Sequence, residues 1–234
     1  MARASVPRTR GSGAAAGGTE EQIRRAAVHL FATRGFHATG IRQLAKAVGI
    51  NSSTLYHYMG TKEELLFAIT QDSSRRLIDA AGRLSPDLNP QARLCGLVYL
   101  HVWSHATHPE ETAVVDNELR SLDGDRLDRA VELRDRYEKF WADTIADGCA
   151  SGTFAVQDQR IARIALLQMC SGVAGWYSTS GEMSLRDLTT TYAQMALSLL
   201  SCSRDHRTIE RLLDDLDLQP AVAAAWPETT PSVR

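Results

Sequence analysis

Apolar residues along this chain recur at helical spacing, and nowhere do they alternate convincingly in the period-2 manner of a strand. That pattern restricts the chain to an all-α fold. Ile23, Ala26, Ala27, Leu30 and Phe31 stand at i, i+3, i+4, i+7 and i+8, the stripe of a first helix entered through a capping box at Thr19-Glu20-Glu21-Gln22 and ended near Gly35. Ile41, Leu44, Ala45 and Val48 repeat the pattern over a shorter span closed by Gly49. Asn51 or Ser52 caps a third short segment that runs through Tyr58 to Gly60, and Thr61-Lys62-Glu63-Glu64 forms a second capping box for a helix heading towards Ser85-Pro86.

Farther along, prolines set the boundaries, because the residue before each is pushed out of the helical region. Pro90 and Pro109 suit first-turn positions. An amphipathic stretch from Asp125 to Ala150 stops at Gly152, Asp158 opens an almost wholly apolar helix to Tyr177, and Ser184-Leu185-Arg186-Asp187 begins another with a weaker capping box. A short helix over Ile209 to Leu218 and a mobile tail complete a count of about nine.

The formal charge of −2 hides a division. Residues 1 to 62 carry nine basic side chains against Glu20 and Glu21, a net +7, while the remainder is −9. A basic head on an acidic body points to a polyanion bound at one end. The first 18 residues are rich in Arg, Gly, Ser and Ala with no apolar run, which excludes a secretory signal and reads as a disordered basic arm. No stretch offers the roughly 18 to 20 apolar residues of a membrane helix, so no membrane partner is expected. Cys95, Cys149, Cys170 and Cys202 are widely spaced among apolar residues, as reduced thiols in a cytoplasm would be.

Three short helices within the basic head invite comparison with a helix-turn-helix. Where two helices cross steeply, the first needs a small residue at the crossing, the turn a residue tolerant of positive φ, and the second an apolar anchor. Ala45, Gly49 and Leu55 meet these needs in order, with Val48 and Ile50 wedging the turn. Ala-x-x-x-Gly alone recurs by chance, and it gains weight from the charge division and the Tyr56-His57-Tyr58 run.

The stretches Leu30 to Phe36, Thr39 to Ala45, Gly49-Ile50, Ser53 to Tyr58 and Lys62 to Leu65 together resemble the DNA-binding domain of TetR-family regulators over about fifty ungapped residues. Met59 departs from the family, which usually has Phe there. The resemblance implies a homodimer, usually a repressor, that a ligand releases from a two-fold symmetric double-stranded operator. It divides the chain into the arm at 1–18, a helix-turn-helix domain at 19–66, a ligand-binding and dimerisation domain at 67–204, and a partly disordered C-terminal segment at 205–234. Carried over position by position, the recognition helix falls on Ser52 to Tyr58. Ser52, Ser53 and Thr54 approach base edges or phosphates, Tyr56, His57 and Tyr58 contact backbone or sugars, and Leu55 faces inward. Thr39 matches a phosphate contact at a helix start, with Arg42 and Gln43 beside it, and Lys62 matches the family's phosphate-binding lysine. The bland alternatives are Tyr56 packed on the first helix and Lys62 as a solvated charge. Arg3, Arg8 and Arg10 either reach a minor groove or merely solubilise the arm.

In the acidic body, His101 to His105, Asn117 to Leu122 and Arg134 to Tyr137 resemble the branch of the family that answers to fatty-acyl or steroid acyl-CoA thioesters. The effector expected is therefore a small hydrophobic molecule, an acyl-CoA first and a lipophilic drug as rival. An apolar pocket is expected from His101, Trp103, His105, Tyr137, Phe140, Trp141, Met169, Trp176 and Tyr177, with Arg75, Arg76, Arg93 or Arg163 for the phosphates. Each aromatic taken singly is more often plain core. The segment Ile161 to Tyr177 is apolar on both sides and must be covered twice. Ile161, Ala165 and Gly172, with Leu188, Tyr192, Met195 and Leu199 of the last long helix, are thus assigned to the dimer interface. His101, His105 and His108 share a helical face, and a zinc-dependent hydrolase using His101 and His105 is the reading from a different class. There is no H-E-x-x-H, phosphate loop, nucleophile elbow or compelling carboxylate pair, so neither metal, cofactor nor enzymatic activity is expected.

Overall fold

The computed structural model describes residues 13–202 and 204–227. Within them lie eleven α-helices, two short 3₁₀ turns and no strand, two helices more than the spacing suggests. The chain forms two compact units, the first ending at Leu66 and the second beginning at Phe67.

In the first unit, α1 runs Gly13–Arg34, α2 Ile41–Val48 and α3 Ser52–Met59, and α4 begins at Lys62. α1 starts six residues ahead of Thr19, because Ala14, Ala15 and Ala16 are strong helix formers that carry the helix outward. Thr19 is therefore a helix-interior residue rather than a cap, and residues 13–18 of the expected arm are helical, whereas 1–12 lie outside the described residues. The turn between α2 and α3 is built as its steric demands require. Gly49 sits at φ 74°, ψ 25°, a left-handed conformation that costs a residue with a Cβ about 1–2 kcal/mol. The Ile50 N–H donates to the Ala45 carbonyl at 3.0 Å, and the Asn51 carboxamide oxygen accepts from the Thr54 N–H at 2.8 Å. At α4 the capping box is complete: Thr61 N–H donates to Glu64 Oε2 at 2.8 Å, and Glu64 N–H to the Thr61 hydroxyl at 3.1 Å. Ile23, Ala27, Phe31, Leu44, Ala45 and Leu55 form the core of this unit.

The second unit takes the rest of α4, which ends at Gly82, then α5 (Pro90–Thr107), α6 (Pro109–Asn117), α7 (Gly124–Ala150), α8 (Gln159–Ser171), α9 (Leu185–Leu199), α10 (His206–Asp215) and α11 (Gln219–Ala225). α5 is its centre, buried from Leu94 to Val98 and again from Leu100 to Ala106, and packed against α7, α8, α9 and α10. Asn89 caps it and Pro90 occupies its first turn. The helix expected to reach Tyr177 ends at Ser171. Gly172 and Gly175, poor helix formers, bracket a 3₁₀ turn instead, with the Trp176 N–H donating to the Val173 carbonyl at 3.2 Å.

The C-terminal segment carries the expected short helix and one more. Asp205 caps α10 through Thr208, and α11 follows with Pro220 in its first turn. Trp226 is buried with its ring 4.9 Å from that of Trp103, a large apolar anchor sufficient to hold the segment down. Only 228–234 of its end, with residue 203 before it, lie outside the described residues.

Candidate nucleic-acid interface and ligand cavity

α3 presents two faces. Leu55 is wholly buried, whereas Ser53, Tyr56 and His57 are exposed and Ser52, Thr54 and Tyr58 half-buried. Tyr56 is 50% exposed, so it does not serve as core packing on α1. The His57 and Tyr58 rings meet edge-on with centroids 5.6 Å apart. Arg42, Gln43 and Lys46 are exposed on α2, adding two cations to the same small unit. The Gln43 carboxamide oxygen accepts from the Gly40 N–H at 2.9 Å, which holds the side chain over the helix start and leaves its amide hydrogens as donors.

At two expected phosphate contacts the side chains bond within the protein. Thr39 is 1% exposed, and its hydroxyl donates to the carbonyls of Gly35 at 2.9 Å and Leu30 at 3.2 Å. It fastens the end of α1 to the following loop and cannot reach a phosphate. Lys62 is neither a free surface charge nor simply an anion contact. Its ammonium donates to the carbonyls of Phe36 at 2.9 Å and Thr39 at 3.1 Å and lies 4.1 Å from the centre of the Phe36 ring. Two of its three protons are thereby committed to the loop between α1 and α2. Arg3, Arg8 and Arg10 lie outside the described residues.

The second unit contains a cavity of about 560 Å³ walled by residues of α4, α5, α6, α7, α8 and the 3₁₀ turn after it. Three expected pocket residues line it: His101, His105 and Tyr137. Trp103 instead turns to Trp226 and His108, and Trp141 stands edge-on to His101 at 5.8 Å with no exposed surface, supporting the wall from behind. Phe140 and Met169 pack against the core, Trp176 is 56% exposed, and Tyr177 donates its hydroxyl to the Met183 carbonyl at 3.1 Å. The wall surface is more apolar than polar, as expected, although thirteen of the twenty-two lining residues carry polar or charged side chains. Thr70, Ser73 and Ser74 from α4, Asp116 and Asn117 from α6, and Arg134 and Glu138 from α7 were missed. A sequence scan for aromatics passes over such residues, which singly look like surface.

The arginines expected to meet phosphates are mostly engaged. Arg76 pairs with Glu111, Arg163 with Glu138 at 3.3 Å, and Arg93 with Asp147 at 2.8 Å while also donating to the carbonyls of Pro86 and Leu88. Arg75 is exposed and does not line the cavity. Arg134 does line it, 3.5 Å from Glu138.

His101 and His105 stack with centroids 4.2 Å apart and planes 14° from parallel. His105 Nδ1 donates to the His101 carbonyl at 2.9 Å, and its Nε2 lies 3.3 Å from an Asp116 oxygen. His101 lies 3.1 Å from the Tyr137 hydroxyl at Nδ1 and 3.0 Å from the Ser171 hydroxyl at Nε2. Stacked rings whose nitrogens are already bonded do not converge on one point, so this pair lacks the geometry the hydrolase reading needs. Among the described residues no group of three or more potential ligands could hold a metal ion. Burial first, and the neighbouring His105 second, hold the His101 imidazole well below its ordinary pKa, in the neutral form. Burial likewise raises the Tyr137 phenol, so it keeps its proton.

A third feature is an uncovered apolar face on α8 and α9. Ile161 is 65% and Met195 48% exposed, and Ile164, Ala165, Gly172, Trp176 and Leu199 are exposed with them. Tyr192 is half-buried. Leu188 is the exception, because it points inward and is 1% exposed, a core residue of its own unit.

A basic, cap-defined three-helix unit followed by a helical unit with a ligand-sized cavity defines a DNA-binding regulator controlled by a ligand. Residues 23–69 match the profile of bacterial regulatory proteins of the tetR family, and residues 87–200 that of the tetracyclin repressor-like C-terminal domain. The chain belongs to the TetR family and is a ligand-responsive transcriptional repressor. It is 25% identical over 189 residues to the HTH-type transcriptional repressor KstR2 of Mycolicibacterium smegmatis, spanning 79% of this chain and 91% of that protein. It is 24% identical over 187 residues to the fatty acid metabolism regulator protein of Bacillus subtilis, spanning 76% and 93%. The crystal structure of AibR in complex with isovaleryl coenzyme A and operator DNA shares the fold, with a TM-score of 0.69 at 20% identity over 76% of this chain and 97% of that one. No described helix is long and apolar enough to cross a membrane.

Proposed function

We propose that this repressor acts in the cytoplasm as a homodimer on a two-fold symmetric operator, and that a coenzyme A thioester releases it. The cavity in the second unit carries this reading: it is large enough for an acyl group, and Arg134, paired with Glu138, lies in its wall. The names of the relatives support the same class, one regulating fatty acid metabolism and one crystallised with an acyl-CoA and DNA. Arg42, Gln43, Ser52, Ser53, Thr54, Tyr56, His57 and Tyr58 supply the operator contacts. The exposed members Ser53, Tyr56 and His57 reach furthest, and Lys62 holds the loop that positions α2. The uncovered face of α8 and α9 takes the second protomer, since an exposed apolar face of this kind marks an interaction surface.

Ligand control follows from linkage. Thr70, Ser73, Ser74 and Leu77 of the cavity wall lie on α4, the helix that begins with Lys62. A ligand that prefers one placement of α4 shifts the spacing of the two recognition helices by its differential affinity for the two states. The test is a gel-shift titration on an operator selected from random-sequence DNA, run against a panel of CoA thioesters and lipophilic cations. Release by thioesters alone is expected. Release by the cations alone transfers the site to drug-like ligands.

A further inference from the structure

The hydroxyls of Tyr137 and Ser171 and the His101 imidazole between them form a chain in the cavity wall, and proton counting along it constrains the ligand. His101 and Tyr137 are each at least nine-tenths buried, and all three residues line the cavity. A neutral imidazole brings one N–H and one lone pair, and each hydroxyl brings one proton. The two contacts, at 3.1 and 3.0 Å, use two of those three protons. If His101 donates through Nδ1 to Tyr137, Ser171 donates to Nε2 and the tyrosine proton is left over. If His101 donates through Nε2 to Ser171, Tyr137 donates to Nδ1 and the serine proton is left over. Either tautomer leaves one hydroxyl proton for the cavity.

A saturated hydrocarbon placed against this chain would bury an unsatisfied donor, at a cost of about 1–3 kcal/mol. We propose that the ligand of this cavity carries a carbonyl oxygen that accepts the one hydroxyl proton left over by the Tyr137–His101–Ser171 chain. A carbonyl offers lone pairs and adds no proton that would need an acceptor of its own. The inference rests on the acyl-CoA reading for one of its two sources, the thioester carbonyl. The other source is a keto group on the chain or ring that enters the cavity.

Matched ligand pairs distinguish the sources. Binding of octanoyl-CoA is compared with S-octyl-CoA, a thioether lacking only the carbonyl, and binding of 1-decalone with decalin, by calorimetry on the full-length protein. A carbonyl preference of roughly ten- to a hundredfold is expected in at least one pair, as for any buried donor left unpaired. Preference in the CoA pair assigns the thioester carbonyl, and preference in the decalone pair assigns a keto group. If neither CoA compound binds, the acyl-CoA reading falls and the decalone pair alone decides the inference. Absence of preference in both pairs overturns the inference, and if the two CoA compounds then bind with equal, high affinity it does so while leaving the acyl-CoA reading intact. The double variant Tyr137→Phe with Ser171→Ala, checked for helical content, reduces the preference to less than about threefold. An undiminished preference in that variant also overturns the inference, and the wild-type pairs decide it should the variant fail to fold.

Discussion

The capping bonds of the DNA-binding unit span three residues, as between Asn51 and Thr54 or Thr61 and Glu64, whereas His101 in the cavity wall bonds to partners 36 and 70 positions away. The first unit is thus set largely by neighbours along the chain and presents side chains outward. The second gathers small polar residues from separate helices and turns them inward. A surface for DNA must be exposed and basic, while a site that reads one small molecule must enclose it and satisfy its polar atoms.

Core truncations probe this contrast most strongly. Trp141→Ala removes a fully buried indole behind the cavity and is expected to destabilise the second unit by about 3–5 kcal/mol, measured by urea unfolding, with loss of ligand binding. If stability falls and ligand affinity does not, Trp141 does not support the wall.

Lys62→Met tests the first unit at a non-local contact. It removes two charged hydrogen bonds and is expected to cost about 1–3 kcal/mol, read by the unfolding midpoint and by faster amide exchange around Phe36 and Thr39. It weakens operator binding with little change in salt dependence. A salt slope lowered by about one with unchanged stability would instead restore Lys62 as a plain phosphate contact. Gly49→Ala should cost about 1–2 kcal/mol through its left-handed φ.

The cavity unit also has a pH signature. His101 is held neutral well below its ordinary value of 6.5, so in acid the unfolded chain takes up a proton there that the folded chain does not. Its contribution to stability is complete above pH 6.5 and is lost as the pH falls from there towards the folded value, by up to about 1.4 kcal/mol per unit. His101→Gln flattens that dependence in thermal unfolding, and an unchanged slope would place the proton uptake elsewhere. Smallest of these effects, Arg42→Ala should lower the salt slope of operator binding by about one and leave stability within about 0.5 kcal/mol.

Legibility from sequence follows the same division. The Gly49 turn, the Asn51 cap, the Thr61–Glu64 box and the buried Leu55 can all be read from spacing because their causes lie within a few residues. The internal partners of Thr39 and Lys62 are not legible, because Leu30 and Phe36 lie nine and twenty-six residues away. In the second unit, helix starts at Asn89, Asp158 and Ser184 are legible from capping side chains, yet the cavity is not. Aromatic residues suggest a pocket, but Trp103 is claimed by Trp226 of an unanticipated helix turn, and the wall falls to Ser73, Asp116 and Ser171. Apolar periodicity reports what a helix buries, not which small polar residue faces a void. Leu188 shows the same limit, since its stripe on α9 lies on the inner side of an outward apolar face.

One measurement bears on the whole molecule as a ligand-responsive device. Octanoyl-CoA affinity is determined by calorimetry with the repressor free and again with it saturated by its selected operator. Because coupling between sites is reciprocal, the affinity should fall on operator binding by the same factor by which octanoyl-CoA weakens the operator complex. Equal octanoyl-CoA affinity with and without operator would contradict control of DNA binding through the cavity.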